Sequence, residues 1–372
     1  MASVKITLLD VVADAAKRTL HFFDANNSEP SSEEYSSSDS DDSNIDAHGR
    51  ARSERQIHKE VFGIKDFVEM AGAAYSDLSM AAHFPSIVKK SQLIKNVKER
   101  SAMYKKPNIG TDTEVHVCLL KDGSLAFTFR GTELSWQDWS SFIADAATDM
   151  MVEQIPMKLY NASHTPIYHS PQQVKAHKGF QLAFRDVTET SRPNENLQRV
   201  AEGLGADTPS VRRVICIGHS LGGALATLCA HWCRYVAYPK AEIWCVTIGS
   251  PRVGNRAFAK DFHKNVVNKG RSYRLVNKDD VIPNIPRFDL ISHGRNVYKH
   301  VRGLIHFNEK KPHTITLKRG GRRHPILSYA RSLKDHSAHS YKDSLHRMLN
   351  RFPHLHHHTA HLPHPHRGIL SI

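Results

Sequence analysis

The stretch Val214-Ile215-Cys216-Ile217-Gly218-His219-Ser220-Leu221-Gly222-Gly223-Ala224-Leu225-Ala226 constrains this chain more than any other. An apolar run leads into Gly-x-Ser-x-Gly, and a run of small helix-forming residues leaves it. That order predicts a strand, a sharp turn at Ser220 and a helix. A serine in so tight a turn holds a strained backbone. Side chains two residues to either side would collide, so Gly218 and Gly222 are both glycine. The helix start sets unpaired N–H groups and a positive dipole end beside the hydroxyl. Ser220 is therefore a candidate nucleophile.

The surrounding sequence supplies the rest of a sheet. Ile243 to Ile248, ending at Gly249-Ser250-Pro251, and Tyr273 to Val276 read as apolar strands. Glu114 to Leu120 and Ser124 to Phe129 flank Lys121-Asp122-Gly123, a hairpin signal. Val61 to Tyr75 carries a helical stripe of Val61, Ile64, Phe67, Val68 and Ala71. Phe180 to Leu204 reads as helix broken at Pro193, and Phe258 to Val266 as helix. Residues 132 to about 175 read as irregular. Strands alternating with helices predict an α/β fold with a mostly parallel sheet covered on both faces.

Three parts are expected along the chain. Residues 1–55 are an N-terminal segment, with a short amphipathic helix from Val4 to Phe23 and an acidic Ser/Asp/Glu linker beyond Asn26. Residues 56–346 form the folded domain. Residues 347–372 are a His- and Pro-rich tail.

The 372 residues carry a formal charge of +14, although Glu29 to Asp46 is acidic. A basic surface suits anionic lipid headgroups or simply a solvated face. Lys318-Arg319-Gly320-Gly321-Arg322-Arg323 lacks interleaved aromatics, so nucleic acid is not an expected partner. The five cysteines show no disulfide or zinc spacing and read as buried thiols in a reducing compartment. Asp10, Asp14, Lys17 and Arg18 interrupt Met1 to Phe23, which lacks the apolar core of a secretory signal. No run reaches transmembrane length. The expectation is an intracellular, cytoplasmic chain that meets membranes peripherally.

A serine hydroxyl needs a histidine to take its proton and a carboxylate to orient that histidine. In the α/β-hydrolase arrangement the chain order is serine, acid, histidine. Asn277-Lys278-Asp279-Asp280-Val281-Ile282-Pro283 supplies the acid, and Asp280, against the apolar Val281-Ile282-Pro283, is better placed than Asp279. The chain has 26 histidines, and His293, His300, His336 and His339 all follow Asp280. Position alone does not choose among them.

Five blocks in order resemble the class 3, fungal-type lipases of the α/β-hydrolase superfamily. The elbow Gly218 to Ala226 is one. Phe129-Arg130-Gly131-Thr132 resembles the family's oxyanion strand, and His177-Lys178-Gly179-Phe180 its H-x-G-F. Gly249-Ser250-Pro251-Arg252-Val253-Gly254-Asn255 resembles G-S/A-P-R-V-G-N, and Asn277 to Pro283 resembles N-x-x-D-x-V/I-P. The resemblance spans roughly Ile57 to Leu345. It implies an α/β-hydrolase fold with a lid, and a triad of Ser220, Asp280 and His336. His336 stands in Asp335-His336-Ser337 before a tyrosine, His339 is the runner-up, and His300 matches a structural strand position. His219 fills the variable place in the elbow and is expected to pack beside the strand.

The resemblance also implies an oxyanion hole from the N–H of Leu221 and from Thr132. Trp136, Trp139 and Phe142 fall in its lid. The implied activity is hydrolysis of glycerolipid acyl esters at a membrane or droplet interface, with phospholipase A1-type hydrolysis or a non-enzymatic lipase-like scaffold as the alternatives. No cofactor or metal is needed for such chemistry. Arg302, where the family often has glycine, and the long segment from Thr132 to His177 depart from the pattern.

Overall fold

The computed structural model describes residues 54–95, 113–131, 153–160, 166–169, 173–188, 196–206, 210–267, 271–286, 298–307 and 334–350. Its centre is a seven-stranded sheet in the order β1-β2-β3-β8-β9-β11-β13. The strands are β1 (Val88–Lys95), β2 (Glu114–Leu120), β3 (Leu125–Phe129), β8 (Arg213–His219), β9 (Glu242–Ile248), β11 (Arg271–Asn277) and β13 (Leu304–Phe307). The pairs β1/β2 and β2/β3 are antiparallel, and from β3 to β13 every pairing is parallel. The β2–β3 hairpin turns at Gly123, whose φ of 81° favours glycine.

Parallel strands are joined by crossovers that lay helices on the faces, so such strands are apolar on both sides. That is why Val214 to Ile217 reads as a continuous run. Val214 and Cys216 face one core with Phe127, Phe129, Phe184, Leu225, Leu228 and Trp232. Ile215 and Ile217 face the other with Ile64, Phe67, Val246, Leu275, Tyr341 and Leu345. The first face is covered by α2 (Lys178–Thr188) and α4 (Leu221–Trp232), the second by α1 (Glu54–Ala73) and α6 (Ala338–Asn350). Two shorter helices are α3 (Leu197–Gly203) and α5 (Arg256–Asp261).

The elements expected around the elbow are present where the sequence places them. The stretch from 132 to about 175 is not uniformly irregular, which corrects that expectation. It holds β4 (Gln154–Pro156), β5 (Lys158–Tyr160) and β6 (Pro166–His169), and β7 (Lys175–His177) follows. These strands have three or four residues, too few for a period-two pattern to register. With β10 (Gly254–Asn255) and β12 (Tyr298–Lys299), β4 and β7 form a second, four-stranded sheet. β1, β13 and α6 were not anticipated either. β1 is an edge strand that alternates poorly because only Val88 and Ile94 are buried. The N-terminal helix expected at Val4 to Phe23, the acidic linker up to residue 53, Lys318 to Arg323 and the tail beyond 350 lie outside the described residues. No described helix is long and apolar enough to cross a membrane.

Candidate active site

Ser220 sits between β8 and α4 with φ 56° and ψ −128°, a conformation strained for any L-residue. Its N–H donates to the Ile248 carbonyl (2.8 Å), and its own carbonyl accepts from Gly223 N–H (2.9 Å). These bonds tie the turn to β9 and to the first turn of α4. The glycine spelling has a measurable cause. A Cβ on Gly218 would lie 2.1 Å from the Gly222 carbonyl oxygen, and one on Gly222 would lie 2.4 Å from that of Phe129. A Cβ on Gly223 would meet Ser250 Cβ at 2.7 Å. Ser220 is 1% exposed, and its Oγ makes no hydrogen bond among the described residues.

Leu221 begins α4, so its N–H belongs to the helix's unpaired first turn. The end of β3 runs beside the serine: a Cβ on Gly131 would lie 3.1 Å from Ser220 Cβ. The next residue, Thr132, lies outside the described residues, as do Trp136, Trp139 and Phe142.

Asp280 stands just past β11 and is 2% exposed, whereas Asp279 beside it is exposed. Three donors converge on the Asp280 carboxylate. His336 Nδ1 (2.8 Å) and Tyr341 Oη (2.7 Å) reach Oδ2, and Ile282 N–H (3.0 Å) reaches Oδ1. A carboxylate only accepts, so His336 carries its proton on Nδ1, and Nε2 is the basic nitrogen. Gly249, with φ 59°, makes room for this pair: a Cβ there would lie 2.9 Å from His336 Cε1 and 3.0 Å from Asp280 Oδ2.

The loop bearing His336 is held from several sides. His219 Nε2–H donates to the His336 carbonyl (2.7 Å), so His219 Nδ1 accepts from Tyr75 Oη (2.7 Å). Asn277 Nδ2 donates to the Asp335 carbonyl and to Ser340 Oγ, both at 2.9 Å. His336 therefore meets both neighbours of the elbow. His219, one residue before Ser220, binds its backbone. Gly249, one residue after the partner of the Ser220 amide, borders its ring.

The structure joins His336 to Asp280 and ties its backbone to His219, the residue before Ser220, while Ser220 Oγ and His336 Nε2 are not hydrogen-bonded to each other. His339 is on the surface, its side chain 84% exposed and 3.3 Å from Asp343. His300 is buried and donates through Nε2 to the Pro283 carbonyl, a structural role. His293 lies outside the described residues. The roles of Tyr341, His219 and Asn277 were not anticipated. Each bonds across more than 50 residues of chain, and no short motif reports such a contact.

Burial sets the acid limit of this scaffold. It is the main cause that lowers His219 to about 3, with the nearby His336 adding to it, and it lowers His116 on β2 to about 4. Both unfolded histidines titrate near 6.5. Below that pH the unfolded chain binds protons that the folded chain refuses, so the stability is complete above 6.5 and falls as pH drops. Each histidine should cost about 1.4 kcal/mol per pH unit between 6.5 and its folded value. Urea midpoints measured from pH 7 to 5 should fall steeply, and His116→Gln should flatten part of the fall, the rest coming from His219 and from His306, which burial also lowers.

Part of the chain is similar in sequence to known lipases. Residues 126–290 match the sequence profile of the family Lipase (class 3). Secreted mono- and diacylglycerol lipase 1 of Fusarium solani is 35% identical over 112 residues, 30% of this chain and 29% of that protein. Phospholipase A(1) DAD1, chloroplastic, of Arabidopsis thaliana is 36% identical over 92 residues, 25% of this chain and 19% of that protein. The chain thus spans less than a third of the length of either relative. The crystal structure of a lipase from Rhizopus microsporus var. chinensis aligns with a TM-score of 0.46 and 22% identity, covering 76% of this chain and 87% of that one. The strained serine between β8 and α4 thus falls inside the stretch, residues 126–290, that is similar to the class 3 lipases.

Proposed function

We propose that this chain is a serine hydrolase of glycerolipid acyl esters, acting through Ser220, His336 and Asp280. The observation that carries the reading is the His336 Nδ1–Asp280 Oδ2 bond of 2.8 Å, formed by a histidine whose backbone is bonded by the neighbour of Ser220. His336 Nε2 takes the serine proton as Oγ attacks the acyl carbonyl. Asp280 stabilises the imidazolium. The tetrahedral oxyanion is met by the Leu221 N–H and by the N–H and hydroxyl of Thr132, and one such donor is worth about 3 kcal/mol of barrier. Collapse expels the alcohol, which takes its proton from His336. A water activated by the same nitrogen then hydrolyses the acyl-enzyme.

Tri-, di- and monoacylglycerols are the leading substrates. Trp136, Trp139 and Phe142 would open the site at a lipid surface, each ring gaining roughly 2 kcal/mol on leaving water. The charge of +14 and the phospholipase A1 relative support phospholipid acyl esters as a second reading. The reading assigns residues 56–346 to the catalytic domain, with 1–55 and 347–372 as appended segments.

The test is hydrolysis of a short-chain p-nitrophenyl ester, a triacylglycerol emulsion and anionic phospholipid vesicles, by wild type and Ser220→Ala. Serine-dependent activity that rises sharply with the emulsion is expected. Activity retained by Ser220→Ala would overturn the mechanism. Serine-dependent release from vesicles alone would replace the acylglycerol substrate by phospholipid.

A further inference from the structure

Beneath the elbow lies a cluster of side chains that this chemistry does not use. Cys216 lies on β8, Cys229 on α4, and Cys233 at the start of a π-helical turn, Cys233–Ala237, that continues α4. All three are fully buried, and their sulfurs lie within 4.8 Å of one another. Cys229 Sγ and Cys233 Sγ are 3.9 Å apart. Among the described residues this is the one group of ligand side chains at metal-binding spacing. We propose that Cys216, Cys229 and Cys233 form a three-sulfur site for a soft d¹⁰ cation, Cu(I).

The geometry selects the ion. A cation about 2.3 Å from each of three sulfurs, at the centre of their triangle, separates them by about 4.0 Å. The observed spacing needs a contraction of less than an ångström. Sulfur donors select soft ions such as Cu(I) and Zn(II). Zn(II) takes four ligands. A fourth cysteine, Cys245, pairs with Cys216 across β8 and β9, but its sulfur stands outside the triangle and approaches Thr227 Oγ1 instead. The apolar core around the triangle offers no water to complete a tetrahedron. Three-coordinate Cu(I) needs none.

Charge and backbone agree. Loading displaces three thiol protons to solvent, because each coordinating sulfur is a thiolate. The copper charge and the guanidinium of Arg234, next to Cys233 in the chain, offset two of the three thiolate charges. The π turn, closed by Tyr238 N–H to the Cys233 carbonyl at 2.7 Å, is of a kind found often at functional sites. No oxidation state changes. Because the sulfurs are sealed in the core, the ion enters as the chain folds and leaves only when it opens.

The full chain would be refolded without oxygen, with either Cu(I)-acetonitrile or Zn(II), gel-filtered, and its metal counted by mass spectrometry. One copper per chain is expected in wild type and in Cys245→Ser, and at least tenfold less in Cys216→Ser and Cys233→Ser. Copper-loaded wild type should melt several degrees higher than the metal-free protein. The histidine-rich tail is common to all variants, so the difference between them reads the thiol site. Cooperative thermal unfolding of metal-free Cys216→Ser and Cys233→Ser checks that the core still folds. Sub-stoichiometric copper in wild type, equal copper in Cys216→Ser, stoichiometric zinc in place of copper, or a Cys229–Cys233 disulfide in the native protein would each overturn the proposal.

Discussion

Asp280→Asn is expected to lower kcat for ester hydrolysis about 10⁴-fold, with KM near wild type and only a small loss of thermal stability. The hydrogen bonds say why. Oδ1 of Asp280 accepts from Ile282 N–H, and Oδ2 accepts from both His336 Nδ1 and Tyr341 Oη. In asparagine the single oxygen satisfies the Ile282 amide, and the NH₂ group then faces His336. His336 Nδ1 must become an acceptor, which moves the ring proton to Nε2. A protonated Nε2 has no lone pair for the serine proton. Steady-state kinetics on a p-nitrophenyl ester, paired with a thermal melt, separates this loss of tautomer from loss of fold. Unchanged kcat would remove Asp280 from the mechanism.

Gly218→Ala is expected to destabilise the fold by at least about 4 kcal/mol, or to prevent accumulation of folded protein. The added Cβ would lie 2.1 Å from Gly222 O, 2.3 Å from Gly222 C and 2.7 Å from Gly223 N. All three are backbone atoms of the turn, so no side chain can swing away. Relief requires opening the elbow, which breaks the Gly223 N–H to Ser220 bond and drags α4 from the sheet. Gly123→Ala supplies the comparison. Its φ of 81° is unfavourable, but nothing lies within 4 Å of the new Cβ, so about 1–2 kcal/mol is expected. Urea denaturation of both variants checks the contrast.

How much of this was legible beforehand depends on the range of the contact. The elbow was readable because strand, turn and helix are contiguous, and Gly218 is forced by backbone atoms four residues away. Asp280 was readable because it abuts a strand end and an apolar Val281-Ile282-Pro283. His336 was not readable from spacing, since its bond to Asp280 spans 56 residues and 26 histidines compete. Only the motif resemblance selected it, and the exposure of His339 agrees with that choice. Tyr341 lies on α6, whose apolar stripe of Tyr341, Leu345, Met348 and Leu349 is interrupted by Lys342, Asp343, His346 and Arg347. The cysteine triangle was invisible for the same reason. Cys229 and Cys233 are a turn apart, but only packing of α4 on β8 adds Cys216.

The most direct test of the central claim is covalent labelling of the wild-type chain with a fluorophosphonate, followed by peptide mass mapping. Such a reagent phosphonylates a serine only when a neighbouring base activates it. The account predicts one adduct per chain, on the peptide containing Ser220, formed far more slowly in Asp280→Asn. A folded protein that takes no label, or takes it at another serine, would contradict the assignment of Ser220, His336 and Asp280.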